Sequence, residues 1–158
     1  MNSTPSQSFL LAVQNNDISS IYNLIRDPRV DPGAQNNRAL LLAVDRGYLQ
    51  VVDLLRRDPR VDPGAQNNEA IILASGHGEL EIADRLLQDP RVDPSAQNNE
   101  AIILASQNGD FEMVDLLMRD PRVDPSDQNN AAINEARAGG HSSVVARLLQ
   151  DRRVRYSM

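Results

Sequence analysis

The sequence contains no cysteine, no tryptophan and no lysine, and aromatic residues make up only 3% of its 158 positions. Without cysteine there is no disulfide framework and no thiol chemistry. The scarcity of aromatic residues excludes a core built on phenylalanine and tryptophan, and leaves a thin core of leucine, isoleucine, valine and alanine. The sequence also lacks a basic and apolar leader and any run of about 18 apolar residues, so we expect a soluble, intracellular, cytoplasmic protein that does not enter a membrane.

The basic residues are 16 arginines, against 22 aspartates and glutamates, which gives a net charge of −6. An acidic chain with scattered arginines argues against nucleic acid as a partner. The two histidines, His77 and His141, occupy different positions in the repeat described below and have no cysteine partners, so we predict no metal site. Phosphate-binding, nucleophile-elbow and zinc-protease motifs are absent. We therefore expect no cofactor, no catalytic residue and no enzymatic activity.

One polar phrase, DPRVDP, returns every 31 residues and carries one arginine each time. A fixed period of this length is typical of a stacked repeat array. A leucine column with the same spacing extends the register towards both ends: Leu24, Leu55, Leu86, Leu117 and Leu148. We predict a single array of about five units, at approximately residues 1–33, 34–64, 65–95, 96–126 and 127–158.

The third unit shows what each repeat contains. Residues 67–78, NNEAIILASGHG, are small or apolar for most of their length and end in glycine, which predicts a short helix buried on most sides. Residues 79–90, ELEIADRLLQDP, have apolar residues at helical spacing and predict an amphipathic second helix that ends before Pro90. Neither helix is long enough to be stable alone, so each depends on the neighbouring units.

The unit resembles an ankyrin repeat, and the resemblance covers nearly the whole chain. It rests on RALLLAVDRGYLQVV at residues 38–52, set against the family pattern T-P-L-H-x-A-A-x-x-G-H-L-E-V-V. The T-P-L-H signature is absent, and the period is shorter than the usual length of about 33, which predicts a tighter finger between units. The resemblance implies an all-α, ankyrin-type helix-pair solenoid of about five stacked repeats with short hairpin-like connectors.

Two columns of the repeat are expected to adopt positive φ. The first, between the two helices, holds glycine in four units and asparagine in the first: Asn16, Gly47, Gly78, Gly109 and Gly140. The second stands where the family finger has glycine: Asn36, Asn67, Asn98 and Asn129. We expect the asparagine pair at this second position to hydrogen-bond to amides in the finger and at the start of the first helix.

The repeated phrase itself is interpreted as a joint between units rather than as a site used four times. Each arginine lies between two aspartates, and can pair within its own unit and with the next. The valine after each arginine is expected to anchor the connector to the core. These columns are Asp27, Asp58, Asp89 and Asp120; Arg29, Arg60, Arg91 and Arg122; Val30, Val61, Val92 and Val123; and Asp31, Asp62, Asp93 and Asp124. Function is therefore expected where the units differ.

The last unit carries polar residues where the other units are largely apolar, which is typical of an end cap exposed to solvent. These residues are Asn134, Glu135, Arg137, Ser142 and Ser143.

The resemblance implies a non-catalytic protein–protein interaction module, an adaptor or scaffold that binds another protein on its concave face, and we expect a monomer. Candidate partner-binding residues lie in columns that vary between units, and Tyr48 is the expected aromatic anchor. They are Arg38, Asp45, Arg46, Tyr48, Glu69, His77, Glu79, Glu100, Gln107, Asn108 and Asp110. Free drift of these columns is the competing interpretation. A structural or engineered repeat scaffold with no dedicated partner is the alternative function, and a regulatory part of an enzyme complex is the third.

Overall fold

The structure is a computed structural model that describes residues 3–156, without the side chains of residues 155 and 156. This part of the chain forms eleven α-helices and no strand. The helices are α1 (Pro5–Gln14), α2 (Ile18–Leu24), α3 (Ala34–Asp45), α4 (Leu49–Leu55), α5 (Ala65–His77), α6 (Leu80–Leu87), α7 (Ala96–Asn108), α8 (Phe111–Leu117), α9 (Asp127–Ala138), α10 (Ser142–Leu148) and α11 (Arg152–Tyr156).

The first ten helices form five antiparallel pairs stacked side by side, which confirms the helix-pair solenoid. The first helices of the pairs (α1, α3, α5, α7 and α9) form one layer, and the second helices (α2, α4, α6, α8 and α10) form the other. From α3 to α9, consecutive first helices contact each other more extensively than consecutive second helices do. The units are therefore wedge-shaped, and the array curves with the first helices on its inner, concave side.

The core runs along the array between the two layers. It is built from leucine, isoleucine, valine and alanine, as the composition predicts, with Phe9 and Met113 as its largest exceptions. One column of core alanines recurs in all five first helices, where the small side chain lets the paired helices approach closely. These residues are Ala12, Ala43, Ala74, Ala105 and Ala136, and none is more than 6% exposed.

The turn between the helices of a pair needs a left-handed residue, and the sequence supplies one in each unit. φ is +68° at Gly47 and +71° at Gly78, and Asn16 takes the same position in the first unit with φ of 54°. The predicted asparagine column also has positive φ, but it belongs to a longer feature. Gln35, Asn36 and Asn37 form three consecutive left-handed residues, and the QNN of each later phrase does the same. The ranges given for α3, α5, α7 and α9 include this left-handed turn. The regular right-handed helix begins after it, at Arg38 in α3.

The last connector differs from the others. Residues 151–156 read DRRVRY where the other units read DPRVDP, so both prolines are replaced. Without proline, which interrupts helical hydrogen bonding, this segment forms the short helix α11. Val154 is fully buried, as Val30, Val61, Val92 and Val123 are in the other connectors. The polar residues predicted to cap the array at this end are exposed at Asn134, Arg137, Ser142 and Ser143, and Glu135 is half-buried.

Candidate partner-binding face

The repeated arginines join the units through the same contacts at each internal position. In Arg91, Nε and Nη2 donate to the Asp89 carboxylate at 3.0 and 2.7 Å, and Nη1 donates to the carbonyl of Val61 at 3.0 Å. Arg60 and Arg122 repeat the second contact on Val30 and Val92, at 2.8 and 3.0 Å. The sequence predicts that each arginine pairs with the next unit, and this prediction is wrong. The hydrogen bond between units runs to the backbone of the preceding unit, because the guanidinium lies over the preceding connector.

The two aspartates around each arginine have different roles. The first one pairs with the arginine, and the second closes the turn that follows, as when Asp62 Oδ1 accepts from the Gly64 amide at 3.0 Å. The charge of Asp62 also raises the pKa of Arg91 in the next unit, after the larger effect of the hydrogen bond with Asp89. From Arg60 onward, each repeated arginine is therefore held by a carboxylate of its own unit and faces one of the unit before.

The pairing lowers the pKa of the first aspartate in each phrase. A hydrogen bond from the Arg29 side chain lowers the pKa of Asp27 to about 2. The equivalent arginines lower the pKa of the other members of this column by the same contact. These are Asp58, Asp89, Asp120 and Asp151.

The joint continues into the last connector, which the sequence prediction did not include. Arg153 donates from Nε to Asp151 at 3.0 Å and lies 3.8 Å from Asp124 of the preceding phrase. The signal was present in the sequence, because Arg153 follows Arg122 by one period of 31 residues. The loss of both prolines obscured it.

The second asparagine of three QNN turns links one connector to the next along the chain. Asn37 Oδ1 accepts from the Asp62 amide of the next connector at 2.7 Å. Asn68 and Asn99 make the same contact with Asp93 and Asp124, also at 2.7 Å. The expected hydrogen bond to an amide of the finger is therefore found, in the connector that closes the asparagine's own unit. The expected hydrogen bond at the start of the first helix is not made by these three oxygens, because the left-handed turn directs them towards that connector. Arginine and asparagine in the phrase are both used inside the stack, so a partner site is better sought elsewhere.

An apolar stripe runs along the exposed side of the first helices. A shallow depression between α3 and α5 is lined by Leu41, Leu42 and Leu73, with Arg38 and Asp45 at its edges. Leu42 and Leu73 are half-buried and share one column with Leu104, which is also half-buried, and with Leu11, which is 55% exposed. We call Leu11, Leu42, Leu73 and Leu104 the leucine stripe.

Sequence reasoning missed the leucine stripe because the first helices are apolar on nearly all sides. Periodicity alone does not tell which apolar column faces the core and which faces solvent. The sequence did contain one signal that this column faces solvent, because Glu135 replaces leucine there in the last unit.

The predicted residues at the start of the first helices border this stripe. Arg38 is exposed and donates to Gln35 Oε1 at 3.0 Å. Glu69 and Glu100 occupy the same column and are half-buried. The structure thus places one positive and two negative side chains along one edge of the stripe.

The predicted residues at the end of the first helices form the other edge, and several contact the neighbouring unit. His77 Nδ1 lies 3.9 Å from Asp45 Oδ1. Asn108 Nδ2 donates to the Gly76 carbonyl at 2.7 Å. Arg46 and Gln107 are exposed.

The three predicted residues in the turn between helices lie beyond this second edge. Glu79 covers Gly47 of the preceding unit so closely that a Cβ added there would lie 2.6 Å from its carboxylate. Asp110 covers Gly78 and also caps α8 by accepting from the Met113 amide at 3.0 Å. Tyr48 is half-buried and packs against the core. This column supports the turns of the stack.

The described residues contain no helix that is long and apolar enough to cross a membrane. Within residues 3–156, no group of three or more histidine, aspartate or glutamate side chains is placed to hold a metal ion.

Stacked helix pairs joined by short connectors define a helical repeat solenoid. The sequence matches the family described as ankyrin repeats (3 copies) over residues 9–98 and again over residues 71–157. The chain therefore belongs to the ankyrin repeat family. A search of curated proteins found no match. Ankyrin repeats are generally protein–protein interaction modules and are typically non-catalytic.

Proposed function

We propose that this protein is a non-catalytic adaptor or scaffold that binds another protein on its concave, first-helix face. The leucine stripe is the observation that carries the proposal. It places half-buried or exposed leucines on four consecutive units, in one line along the array. Water-exposed apolar surface of this extent gains free energy when a partner covers it.

The edges of the stripe supply the polar contacts that orient a partner. Arg38 and Asp45 lie on opposite edges of the depression between α3 and α5. Along the stripe the first edge changes from Arg38 to Glu69 and Glu100, so its charge changes sign. An apolar centre with a polar, charged rim is the usual anatomy of a specific protein interface. Arg46, His77, Gln107 and Asn108 belong to the second edge of the same proposed face.

The leucine stripe favours a binding module over a structural scaffold without a partner. A spacer gains nothing from exposed leucine, and a uniformly polar surface would keep it more soluble. The last unit shows that the column accepts a polar residue, because Glu135 stands there. Leu42, Leu73 and Leu104 also pack against the core, so part of each side chain stabilises the stack and the exposed part is left for a partner.

Affinity capture from the extract of the native cell tests the proposal. The bait is the wild-type chain or the Leu42→Glu/Leu73→Glu variant, which carries the residue of the last unit. The control is Ser19→Glu/Ser143→Glu, which introduces as many glutamates at exposed positions of the second helices. We expect a protein that wild type and control both retain and that the stripe variant loses. The captured protein is then purified and titrated calorimetrically, and its affinity for the stripe variant should fall at least about tenfold. Equal affinity for all three chains would contradict the proposal.

A further inference from the structure

The second helices carry salt bridges at two of the four joints between units, and among the described residues the joint that lies between these two has none. Arg85 on α6 lies 3.8 Å from Asp53 on α4, and Arg147 on α10 donates to Asp115 on α8 at 2.7 Å. In the unit between them, the arginine column holds Leu116. Between α6 and α8 there is thus an aspartate, Asp84, with no arginine opposite it.

An open groove of about 440 Å³ lies where the bridge is missing. Its apolar lining consists of Leu49, Leu80, Phe111 and Leu116. Phe111 is 38% exposed, and no other unit has an aromatic residue in its column. Apolar surface at this joint therefore takes the place of the charged contact found at the next joint on either side.

The charges of the groove are predominantly negative. Four carboxylates and two guanidinium groups line it, which gives a net charge of −2. Arg85 turns towards Asp53, which lies outside the groove, and Arg119 pairs with Asp115 at 2.6 Å. Among the described residues, the carboxylates of the groove that pair with no arginine are Glu81, Asp84 and Glu112, and Asp84 accepts a hydrogen bond from Gln88 at 3.1 Å.

Two of these carboxylates belong to this joint alone. Glu81 and Glu112 are both exposed, and both stand in the second position of their helix. The same column holds serine or glutamine in the other three units, at Ser19, Gln50 and Ser143. The acidic residues, the aromatic residue and the missing arginine therefore occur together at one of the joints between second helices.

We propose that this groove binds a segment of another protein in which an arginine or lysine lies next to bulky apolar side chains. The cation takes the place of the missing arginine and pairs with Asp84, while the apolar side chains pack on Leu80 and Leu116. Phe111 adds an aromatic face for the cation. The groove is on the second-helix layer, so this surface is separate from the leucine stripe, and both can be occupied at once.

The test uses a phage-displayed library of random linear peptides selected on the wild-type chain. Selected peptides are synthesised, and their affinities are measured by fluorescence anisotropy. Leu116→Arg restores the bridge, because arginine in this column pairs with the preceding aspartate in the flanking units. We expect selected peptides with arginine or lysine beside apolar residues, and binding at least about tenfold weaker to Leu116→Arg. Leu54→Arg changes the same column at another joint and should leave the affinity unchanged.

A second variant keeps the test valid if Leu116→Arg fails to fold, which circular dichroism and urea melts would show. Glu81→Gln/Glu112→Ser introduces only residues that other units carry at these exposed positions. We expect it to weaken the same peptides and to reduce the salt dependence of their binding.

Any of four outcomes would overturn the proposal. One is a selection that yields no peptide with measurable affinity for the groove. Another is a set of peptides without basic residues, or peptides that bind wild type, Leu116→Arg and Glu81→Gln/Glu112→Ser equally. The last is binding that is lost in Leu42→Glu/Leu73→Glu instead, in which case the peptides occupy the leucine stripe. That result would leave the proposed function intact and remove the second surface.

Discussion

Replacing Arg91 with alanine tests whether the repeated phrase is a joint between units. Arg91 lies in the middle of the array, and its side chain is 43% exposed. The substitution removes the hydrogen bond from Nη1 to the Val61 carbonyl and the paired contact with Asp89. The backbone amide of residue 91 still donates to Asp89 Oδ1, at 3.0 Å, so the connector keeps its local turn.

The expected loss follows from these two contacts. A hydrogen bond from a charged donor contributes about 1.5–3 kcal/mol when buried, and less at a half-exposed position. A partly exposed ion pair adds about 0–1 kcal/mol. The variant should therefore unfold with a free energy lower by about 1–3 kcal/mol.

Arg29 provides the matched control. It makes the same pair with Asp27 at 2.7 Å, but its guanidinium donates to no other connector in the described structure and is 73% exposed. Arg29→Ala should lower the free energy of unfolding much less than Arg91→Ala does. Urea melts followed by circular dichroism compare the two variants with wild type. Equal losses in both variants, or a loss at Arg91 within about 0.5 kcal/mol, would refute the joint.

Four further predictions concern the core, the charges, the ends and the turn. Ser106→Val should raise stability by about 1 kcal/mol in urea melts, because the buried Ser106 hydroxyl has no hydrogen-bond partner in the described structure and the column accepts Val44; no gain would contradict this. The hydrogen bond from Arg91 lowers the pKa of Asp89 from its ordinary value of 3.8. Just below pH 3.8, this carboxylate is therefore still charged in the folded protein while it is mostly protonated in the unfolded chain. Stability should thus fall as pH drops below 3.8, and acid titration of Asp89→Asn should show a smaller fall than wild type. Hydrogen exchange should show least protection outside residues 40–118, whereas uniform protection would count against weaker ends. Tyr48→Ala should lower stability by about 1–3 kcal/mol and leave partner affinity unchanged; an affinity loss with full stability would make Tyr48 an anchor instead.

The sequence predicts the helix pairs and their turns because these depend on local properties. Glycine or asparagine with positive φ ends each first helix. The second helices α2, α4, α6 and α8 end three or four residues before a proline, and α10 ends at the same place in the repeat without one. The three-residue left-handed turn is less accessible to prediction. Asparagine is common at positive φ, so the sequence predicts this conformation at Asn36. Glutamine is not, so the sequence does not predict it at Gln35. The positive φ of both residues follows from the way the connector closes between units.

The direction of the joint could not be derived from the sequence. Arg91 has carboxylates on both sides in the chain, and the choice between the preceding and the following unit depends on the spacing of the stack. Part of the binding surface, in contrast, can be predicted by comparing the residues at equivalent positions of the five units. The replacement of leucine by Glu135 marks the leucine stripe, and Leu116 between Arg85 and Arg147 marks the missing bridge.

Methyl NMR of the leucine-labelled chain, titrated with the partner protein isolated by capture, tests the central claim most directly. If the partner binds the concave face, the methyl resonances of Leu42, Leu73 and Leu104 should shift or broaden together as the partner is added. Those of buried leucines such as Leu86 should move little. Perturbations confined to the connectors, or spread evenly over core and surface leucines, would contradict binding on the first-helix face.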